Sequence, residues 1–177
     1  MSDVRRIDPE ALPAADASPV AVRVEPHAER AIRDGHPWLF EESVTSQSRE
    51  APAGTVAVIF DRKDRFLAAG LHDPDGPIRV RILVQGQTGE IGPELFRERV
   101  REALGRRSEV ASASTTGFRV LHGENDGMGG LVADLYGRTL ATAAPAALGF
   151  ARNRVVYAEQ PTLTLTAASL RKTYGTA

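Results

Sequence analysis

The stretch TVAVIFDRKDRFLAAGLHDPDGPIRVRILV, residues 55–84, decides the fold of this chain. It contains three apolar runs separated by charged or Pro/Gly-containing turns, which is typical of short β-strands. In the last run apolar residues alternate with Arg79 and Arg81, as expected when one face of a sheet is buried. We therefore predict a hairpin over 55–73, followed by a further strand. The three predicted strands are 55–60, 66–73 and 78–84.

The residues before this stretch predict one more strand and a short helix. VAVRV, 20–24, alternates apolar and polar side chains. Pro26 then opens HAERAIRDG, which Gly35 is placed to terminate. Together, residues 20–85 predict a small β-barrel-like domain with one early helix, in which closure of the barrel would remove exposed strand edges.

The residues after it predict a second unit of the α+β class, over 92–138, following a linker at 86–92. Pro93 opens a helix, and its arginines alternate with glutamates, which favours a solvated face over an RNA-binding one. FRVLH and GLVADLYG, joined by a glycine-rich turn, predict an antiparallel pair. The apolar stripe of the helix comprises Phe96, Val100, Ala103 and Leu104.

The two ends of the chain differ in composition from the middle. Residues 1–19 are acidic and rich in Pro and Ala, and we expect a disordered leader without the apolar run of a signal peptide. Residues 139–177 are rich in Ala, Thr and Leu, and we interpret them as a divergent tail. A shifted reading frame, a truncation and genuine divergence all stay open as its origin.

The composition excludes several kinds of chemistry. The 177 residues contain no cysteine, so disulfides, thiolate metal sites and cysteine nucleophiles are excluded. The four histidines have no partner at helical spacing, so no metal site is predicted. No apolar run is long enough to span a membrane, and we expect a cytoplasmic protein. The net charge of −1 does not by itself indicate a nucleic-acid binder.

Two short segments are candidate functional motifs. GHPWLF, 35–40, is expected mainly to plug the core with Trp38, Leu39 and Phe40; the alternative is that an exposed ring stacks on a base. HGENDGMGGLVAD, 122–134, does not match a calcium loop or a dinucleotide-binding loop. It is best interpreted as a tight turn with an acidic rim, although no chemical role can be assigned to its Glu124 and Asp126.

With these motifs in place, the chain resembles a known family. The strand, helix and GHPWLF opening, followed by TVAVIFDRKDRFLAAGLHDPDGPIRVRIL, resembles the N-terminal PUA domain of bacterial large-subunit ribosomal-RNA cytosine-5 methyltransferases. ELFRERVREAL and FRVLHGENDGMGGLVADLYG resemble the central α+β domain of the same family. The resemblance covers about Val20 to Leu140, and Gly129 stands where the family usually has proline.

The resemblance implies ribosomal RNA as the partner and S-adenosylmethionine (SAM) as the cofactor of the full-length family. Cytosine C5 methylation generally requires a thiolate that attacks C6, and this chain has no cysteine. A SAM site would also need further βα units. We therefore expect an RNA-binding portion of such a methyltransferase that is not catalytically complete, holds no cofactor itself and self-associates through an uncovered central-domain face.

Positively charged and aromatic side chains of the N-terminal domain are the candidate RNA contacts. For each of the basic residues taken alone, plain solvated surface is the favoured interpretation. The alternative function is a standalone binding or scaffold module without enzymatic role. The candidate RNA-binding residues are Arg23, Arg30, His36, Trp38, Arg62, Lys63, Arg79 and Arg81.

Overall fold

The computed structural model describes residues 18–111 and 114–143, and the backbone of 154–157. These residues form two compact units, and the division between them falls after Ile91. Residues 1–17 of the predicted leader and most of the predicted tail lie outside the described residues. No helix among the described residues is long and apolar enough to cross a membrane.

The N-terminal unit is a six-stranded sheet with one helix. The strands lie in the order β2-β6-β5-β4-β1-β3, and all neighbours are antiparallel except β1 and β4, which run parallel. A 3-10 turn, Glu41–Ser43, links β2 to β3. The elements are β1 (Val20–Val24), α1 (Pro26–Arg33), β2 (Trp38–Phe40), β3 (Val44–Gln47), β4 (Val56–Phe60), β5 (Phe66–His72) and β6 (Ile78–Gln85).

The predicted hairpin and third strand are confirmed as β4, β5 and β6. The sheet curls into a half-barrel, which confirms the predicted barrel-like domain. In the described part of the chain β2 and β3 lie at the two edges of this sheet. The helix is also confirmed, with Pro26 at its first position and Gly35 just past its end at φ 96°, a conformation that glycine adopts without steric cost.

The core of this unit follows the predicted alternation. Val80 is fully buried and Ile82 is 8% exposed, whereas the intervening Arg79 and Arg81 are only half-buried. The helix contributes Ala28 and Ile32 to the same core, one turn apart on its inner face. The remaining core residues are Val20, Val22, Val24, Leu39, Ala51, Ala57, Ile59, Leu67 and Ala68.

The expectation that Trp38 and Phe40 plug this core is wrong. Leu39 is 1% exposed, whereas Trp38 and Phe40 on either side of it are only half-buried. The cause is the period of two in a strand, which sends neighbouring side chains to opposite faces. The segment is a strand, so only one of its three apolar side chains can reach the interior.

The C-terminal unit is a helix with a four-stranded antiparallel sheet in the order β10-β9-β8-β7. The α+β class is thus confirmed for the described residues. The sheet continues past residue 138, the predicted limit, because its strand β9 spans Thr139–Ala143. Leu140 in this strand is 1% exposed. The elements are α2 (Pro93–Arg106), β7 (Gly117–His122), β8 (Val132–Tyr136), β9 (Thr139–Ala143) and β10 (Arg154–Tyr157).

The glycine-rich turn between β7 and β8 begins with a 3-10 turn, Gly123–Asp126. Gly127 and Gly130 have the predicted positive φ, and Gly123 has one as well, whereas Gly129 does not. The predicted acidic rim is wrong at Asp126, which is 5% exposed. The turn therefore has a buried carboxylate beneath it.

Candidate nucleic-acid interface

Three arginines of the N-terminal unit surround two carboxylates at the junction of α1 with the β4–β5 turn. Asp61, at the end of β4, accepts hydrogen bonds from the backbone N–H groups of Lys63 and Arg65 at 2.8 and 3.0 Å. Its Oδ2 also lies 2.8 Å from Arg33 Nη2 and 2.7 Å from Arg65 Nη2. We call the set Arg33, Arg62, Arg65, Glu29 and Asp61 the arginine cluster.

Glu29 ties the remaining arginine of the cluster to the helix. It accepts from Arg62 Nε at 3.3 Å and from Arg33 Nη2 at 3.2 Å. Since residues four apart share one face of a helix, the Glu29–Arg33 pair needs no tertiary support. The β4–β5 turn is thereby joined to α1 through two carboxylates.

In this arrangement the negative charges lie inside and the positive charges outside. The Asp61 side chain is 1% exposed and that of Glu29 12%, whereas Arg62 and Arg65 are 65% and 63% exposed. The Arg65 backbone N–H, more than any other group, holds the pKa of the Asp61 carboxyl far below its usual range. The carboxylates thus stay ionised and hold the guanidinium groups towards solvent, where they can meet phosphates.

Three of the predicted RNA contacts lie at this site. Arg62 belongs to the arginine cluster, Lys63 is exposed on the same turn, and Arg23 pairs with Asp64 of the turn at 2.8 Å. Arg30 lies on α1 and is exposed. Sequence reasoning missed Arg33 and Arg65, although each follows its carboxylate by four residues, a spacing that could have indicated the pairs.

The side-chain rings of three residues form a second group. Two of these residues belong to β2, and the third lies two residues before it. His36, Trp38 and Phe40 are spaced two residues apart, and the core residue Leu39 lies between the last two. Their ring centroids are separated by 5.9 Å between His36 and Trp38, 6.1 Å between Trp38 and Phe40, and 5.8 Å between His36 and Phe40. All three side chains are half-buried, and we call them the aromatic cluster.

The backbone holds the aromatic cluster in place. His36 Nδ1 lies 3.0 Å from the Trp38 carbonyl oxygen, and Gln85 Nε2 donates to the His36 carbonyl oxygen at 3.0 Å. Edge-to-face rings at these separations also support one another. The cluster is therefore an ordered aromatic surface on an edge strand.

The last two predicted contacts lie on β6, beside the aromatic cluster. Arg81 is paired in register with Trp38, which places both side chains on the same face of the sheet. Arg79 is 14% exposed, and its guanidinium donates to the carboxylate of Glu41 at 2.5 Å and to the carbonyl oxygen of Pro74 at 2.6 Å. Arg79 is thus largely enclosed by the protein.

The two clusters are connected by a short segment of chain. Arg33 is the last residue of α1, and His36 follows three residues later. Three residues span at most about 11 Å even when fully extended. The Cα atoms of Arg33 and His36 therefore lie within about 11 Å of each other.

The side chains of the two clusters are of types that bind nucleic acids in other proteins. Guanidinium groups match phosphate oxygens, and exposed rings stack on unpaired bases. Among the described residues no group of three or more His, Asp or Glu side chains could hold a metal ion. The two clusters thus present guanidinium groups and rings on the described part of the N-terminal unit.

The fold and this surface define the class of the N-terminal unit: residues 22–85 match a PUA-like domain. The chain is moreover homologous to ribosomal RNA large subunit methyltransferases. It is 45% identical over 72% of its length to the ribosomal RNA large subunit methyltransferase of Deinococcus radiodurans. It is 31% identical over 65% of its length to ribosomal RNA large subunit methyltransferase I of Alteromonas mediterranea.

The chain spans about one third of the length of these relatives, 33% and 29% respectively. Solved structures show the same fold. A candidate SAM-dependent methyltransferase from Streptococcus mutans aligns with a TM-score of 0.60 at 17% identity, over 70% of this chain and 32% of that one. A candidate methyltransferase complexed with SAH aligns equally well, over 71% of this chain.

Proposed function

We propose that the N-terminal unit binds ribosomal RNA through the arginine cluster and the aromatic cluster. The observation that carries this proposal is the position of three half-buried rings, two on the edge strand β2 and one just before it, in the segment that follows the arginine-bearing helix. Packing alone does not require the rings there, since Leu39 fills the core position of β2. The homology to ribosomal RNA methyltransferases supports ribosomal RNA as the nucleic acid.

In the proposed complex the two clusters have different tasks. The exposed arginines contact phosphates, which gives affinity and fixes the register of the RNA without reading its sequence. Trp38 stacks on an unpaired base, an interaction that tolerates any base. Arg23, Arg30 and Lys63 extend the positive surface around the arginine cluster, and Arg81 borders Trp38.

We further propose that this chain serves as the docking part of a SAM-dependent methyltransferase that modifies cytosine C5 of 23S ribosomal RNA. Homology supports the enzyme class, and chemistry supports the division of labour. A C5 transfer needs a thiolate nucleophile, and the 177 residues contain no cysteine. The chain thus contributes RNA docking, whereas the nucleophile and the SAM site lie outside these residues.

The docking role can be tested by measuring how tightly the chain binds a single-stranded fragment of 23S ribosomal RNA. Fluorescence anisotropy gives the affinity at a series of salt concentrations. Arg62→Gln removes an exposed phosphate contact, so we expect it to weaken binding by about three- to fivefold and to reduce the slope of log K against log[salt] by about 0.7. Trp38→Ala should weaken binding about tenfold without changing the slope.

Arg119→Gln is the matched control. Arg119 is 46% exposed and pairs with Asp134 at 2.8 Å, much as Arg62 pairs with Glu29, but it lies in the other unit. We expect this variant to bind RNA as the unaltered chain does. Equal effects of both arginine variants, or salt-independent binding, would contradict the proposal and favour a standalone scaffold module.

A labelled methyl donor tests the second part of the proposal. We expect the purified chain, incubated with labelled SAM and 23S ribosomal RNA, to transfer no label, because it offers no thiolate. An unrelated active RNA methyltransferase serves as the positive control for the assay. Label recovered in cytosine would show that this chain carries out the transfer itself.

A further inference from the structure

The three arginines of the arginine cluster are fixed to different degrees. Arg65 is bonded twice to Asp61, with its Nε at 2.8 Å and its Nη2 at 2.7 Å from the same carboxylate oxygen. Arg33 bridges both carboxylates, at 2.8 Å to Asp61 and 3.2 Å to Glu29. Among the described residues Arg62 forms one side-chain ion pair, from its Nε to Glu29 Oε2 at 3.3 Å. Arg62 is therefore the most loosely held guanidinium of the three.

The ion pair of Arg62 is also long and lies close to water. Charge-assisted hydrogen bonds between a guanidinium and a carboxylate are usually about 2.7–2.9 Å long, and the contact between Arg62 and Glu29 exceeds that range. The Arg62 side chain is 65% exposed. Ion pairs at exposed arginines contribute little, because water screens the charges and the long side chain loses rotamer freedom. Little free energy is thus needed to move this guanidinium away from Glu29.

Glu29 is a charged group that does not depend on Arg62 alone. Burial raises the pKa of the Glu29 carboxyl, but hydrogen bonds from the Arg33 side chain and from the backbone and side chain of Arg62 outweigh burial. The pKa therefore lies below its ordinary value of 4.5. Arg33 follows Glu29 by one helical turn and stays beside it in α1. The Glu29 carboxylate thus keeps a counter-charge when the Arg62 guanidinium leaves.

The backbone that carries Arg62 is held independently of its side chain. The Asp61 carboxylate accepts from the backbone N–H groups of Lys63 and Arg65 at 2.8 and 3.0 Å. The Asp61 N–H donates to the Arg65 carbonyl oxygen at 2.9 Å, and the Asp64 N–H donates to the Asp61 carbonyl oxygen at 3.0 Å. These bonds close the β4–β5 turn. The Arg62 side chain can therefore change its partner while the turn stays in place.

A phosphate of bound RNA and Glu29 compete for the same guanidinium. Arginine binds phosphate best through two parallel N–H groups, and in the free chain the Nε–H of Arg62 is directed at Glu29. Two anions on one guanidinium also repel each other. A complete contact between Arg62 and a phosphate thus requires the pair with Glu29 to open.

We propose that Glu29 is an internal competitor of RNA: it holds Arg62 in the free chain, and a phosphate of the bound RNA takes Arg62 over. Arg33 stays on Glu29, and Asp61 keeps the turn in place. The inference rests on the proposed RNA binding and goes further, because it states that a contact within the protein limits the affinity. Removal of that contact should therefore strengthen binding.

Glu29→Gln removes the competing charge and keeps the length of the side chain. We expect it to strengthen binding of the single-stranded 23S ribosomal RNA fragment by about two- to fivefold in fluorescence anisotropy. Asp34→Asn is the matched control. Asp34 is exposed next to Arg33 in the chain and forms no ion pair within the described part of the protein. It makes the same change of charge but releases no arginine, so we expect an effect under about 1.5-fold in physiological salt.

A double variant separates competition for Arg62 from a general effect of charge. In the Arg62→Gln chain the contested guanidinium is absent, so Glu29→Gln should then change the affinity no more than Asp34→Asn does. Full strengthening in the Arg62→Gln chain, or equal effects of Glu29→Gln and Asp34→Asn, would overturn the competition and leave RNA binding intact. So would a Glu29→Gln protein whose binding is unaltered or weaker. If the unaltered chain binds no RNA, the proposed function itself fails.

Nuclear magnetic resonance of the unaltered chain with ¹⁵N-labelled arginine provides a measurement that needs no variant to fold correctly. On addition of the same RNA we expect the Arg62 Nε signal to shift. The Arg65 Nε–H, bonded to Asp61, should keep its slow hydrogen exchange. Arg119 Nε, which lies 2.8 Å from Asp134 in the other unit, is the control and should not respond. An Arg62 Nε signal that stays unchanged while the RNA binds would contradict the inference.

Discussion

Asp126 shows how much a single buried carboxylate organises in the C-terminal unit. It lies 2.8 Å from Arg106 Nη2 and 2.6 Å from Arg107 Nη2, and accepts from the His122 backbone N–H at 2.7 Å. The two arginines are at the C-terminal end of α2, and His122 ends β7. One side chain therefore joins the helix to the glycine-rich turn, which gives Asp126 a structural role that the sequence did not reveal.

Replacement of Asp126 should reveal that role. Asp126→Asn leaves two arginines without their buried counter-charge, and we expect it to lower the free energy of unfolding by about 2–4 kcal/mol in urea denaturation at pH 7. Asp134→Asn, at an exposed pair with Arg119, is the control and should cost under about 1 kcal/mol. Equal losses would show that burial of the Asp126 pairs is unimportant.

The pH dependence of the same variant follows from the pKa of Asp126. Burial raises this pKa, but the hydrogen bonds from Arg107, Arg106 and the His122 N–H outweigh burial, and the pKa lies below its ordinary value of 3.8. A lowered carboxyl pKa stabilises the fold above the unfolded value and loses that contribution as the pH falls. The stability difference between the unaltered chain and Asp126→Asn should therefore stay constant from pH 8 to 5 and shrink below about pH 4. A difference that grows in acid would contradict this assignment.

Gly70 illustrates a constraint of a different kind, set by close approach of backbones. A Cβ at this position would lie 2.0 Å from the Arg81 carbonyl oxygen and 2.8 Å from the Ile82 Cα. Both are backbone atoms of β6, so they cannot turn away as a side chain would. The register between β5 and β6 shifts at this point, and only glycine fits there.

We expect Gly70→Ala to destabilise the N-terminal unit by about 2–3 kcal/mol, because the strands must separate locally. Gly105→Ala is the matched control: it lies in α2 with open space at the Cβ position and should stabilise the chain by about 0.5–1 kcal/mol. Thermal unfolding of both variants measures the contrast. A neutral Gly70→Ala would show that the β5–β6 spacing adapts easily.

In the strand β2, neighbouring residues have different roles, one in the core and one at the surface. Leu39 faces the core and Trp38 faces the outer surface. We expect Leu39→Ala to cost about 2–5 kcal/mol of stability while the folded protein still binds RNA. Trp38→Ala should do the reverse, lowering RNA affinity with a smaller loss of stability. Denaturation and anisotropy on the same two proteins check this; a Trp38→Ala protein that is less stable than Leu39→Ala but binds normally would contradict it.

The elements also show what the sequence could and could not predict. The alternation in β6 and the stripe on α2 were readable, because each repeats over several residues with the period of its element. β2 has three residues, too few for any period, and so its faces were assigned wrongly. β3 has only one β-branched aliphatic residue in VTSQ and was missed; its pairing with β1 supplies what its own composition does not.

The candidate site was predictable to the extent that its residues are local in sequence. The rings and the basic residues of the β4–β5 turn could be nominated, because the residue types alone suggest stacking and phosphate binding. The carboxylates that orient the arginines could not, since Asp61 and Arg33 are 28 residues apart. The groove lined by Glu41, His72 and Arg79 combines side chains from several strands and loops, and no single stretch of sequence contains its pattern.

For the whole molecule, the N-terminal unit has a core of its own. All the residues of that core lie between Val20 and Ile82, so we expect residues 14–91 alone to fold and to bind RNA within about threefold of the full chain. Circular dichroism and anisotropy measure the two properties. Residues 92–143 expressed alone are the control and should not bind. If the N-terminal fragment folds but does not bind RNA, the RNA contacts lie outside residues 14–91.

Self-association of the chain stays a prediction. The described residues include two exposed large hydrophobic side chains, Val110 and Tyr136, at 50% and 59%. If the outer sheet face of the C-terminal unit mediates contact between copies, Tyr136→Ser should shift the chain towards monomer. Sedimentation velocity over a range of protein concentrations tests this prediction. A chain that is monomeric at every concentration would contradict self-association.

The short length of β2 also affects whether other chains can pair with this edge of the sheet. An unpaired strand edge can form hydrogen bonds with a strand of another chain, and aromatic side chains strengthen such intermolecular pairing. β2 offers only three residues, and its ladder is interrupted between Leu39 and Phe40. An incoming strand would therefore find only a short and irregular template, which disfavours association of copies through the edge at β2.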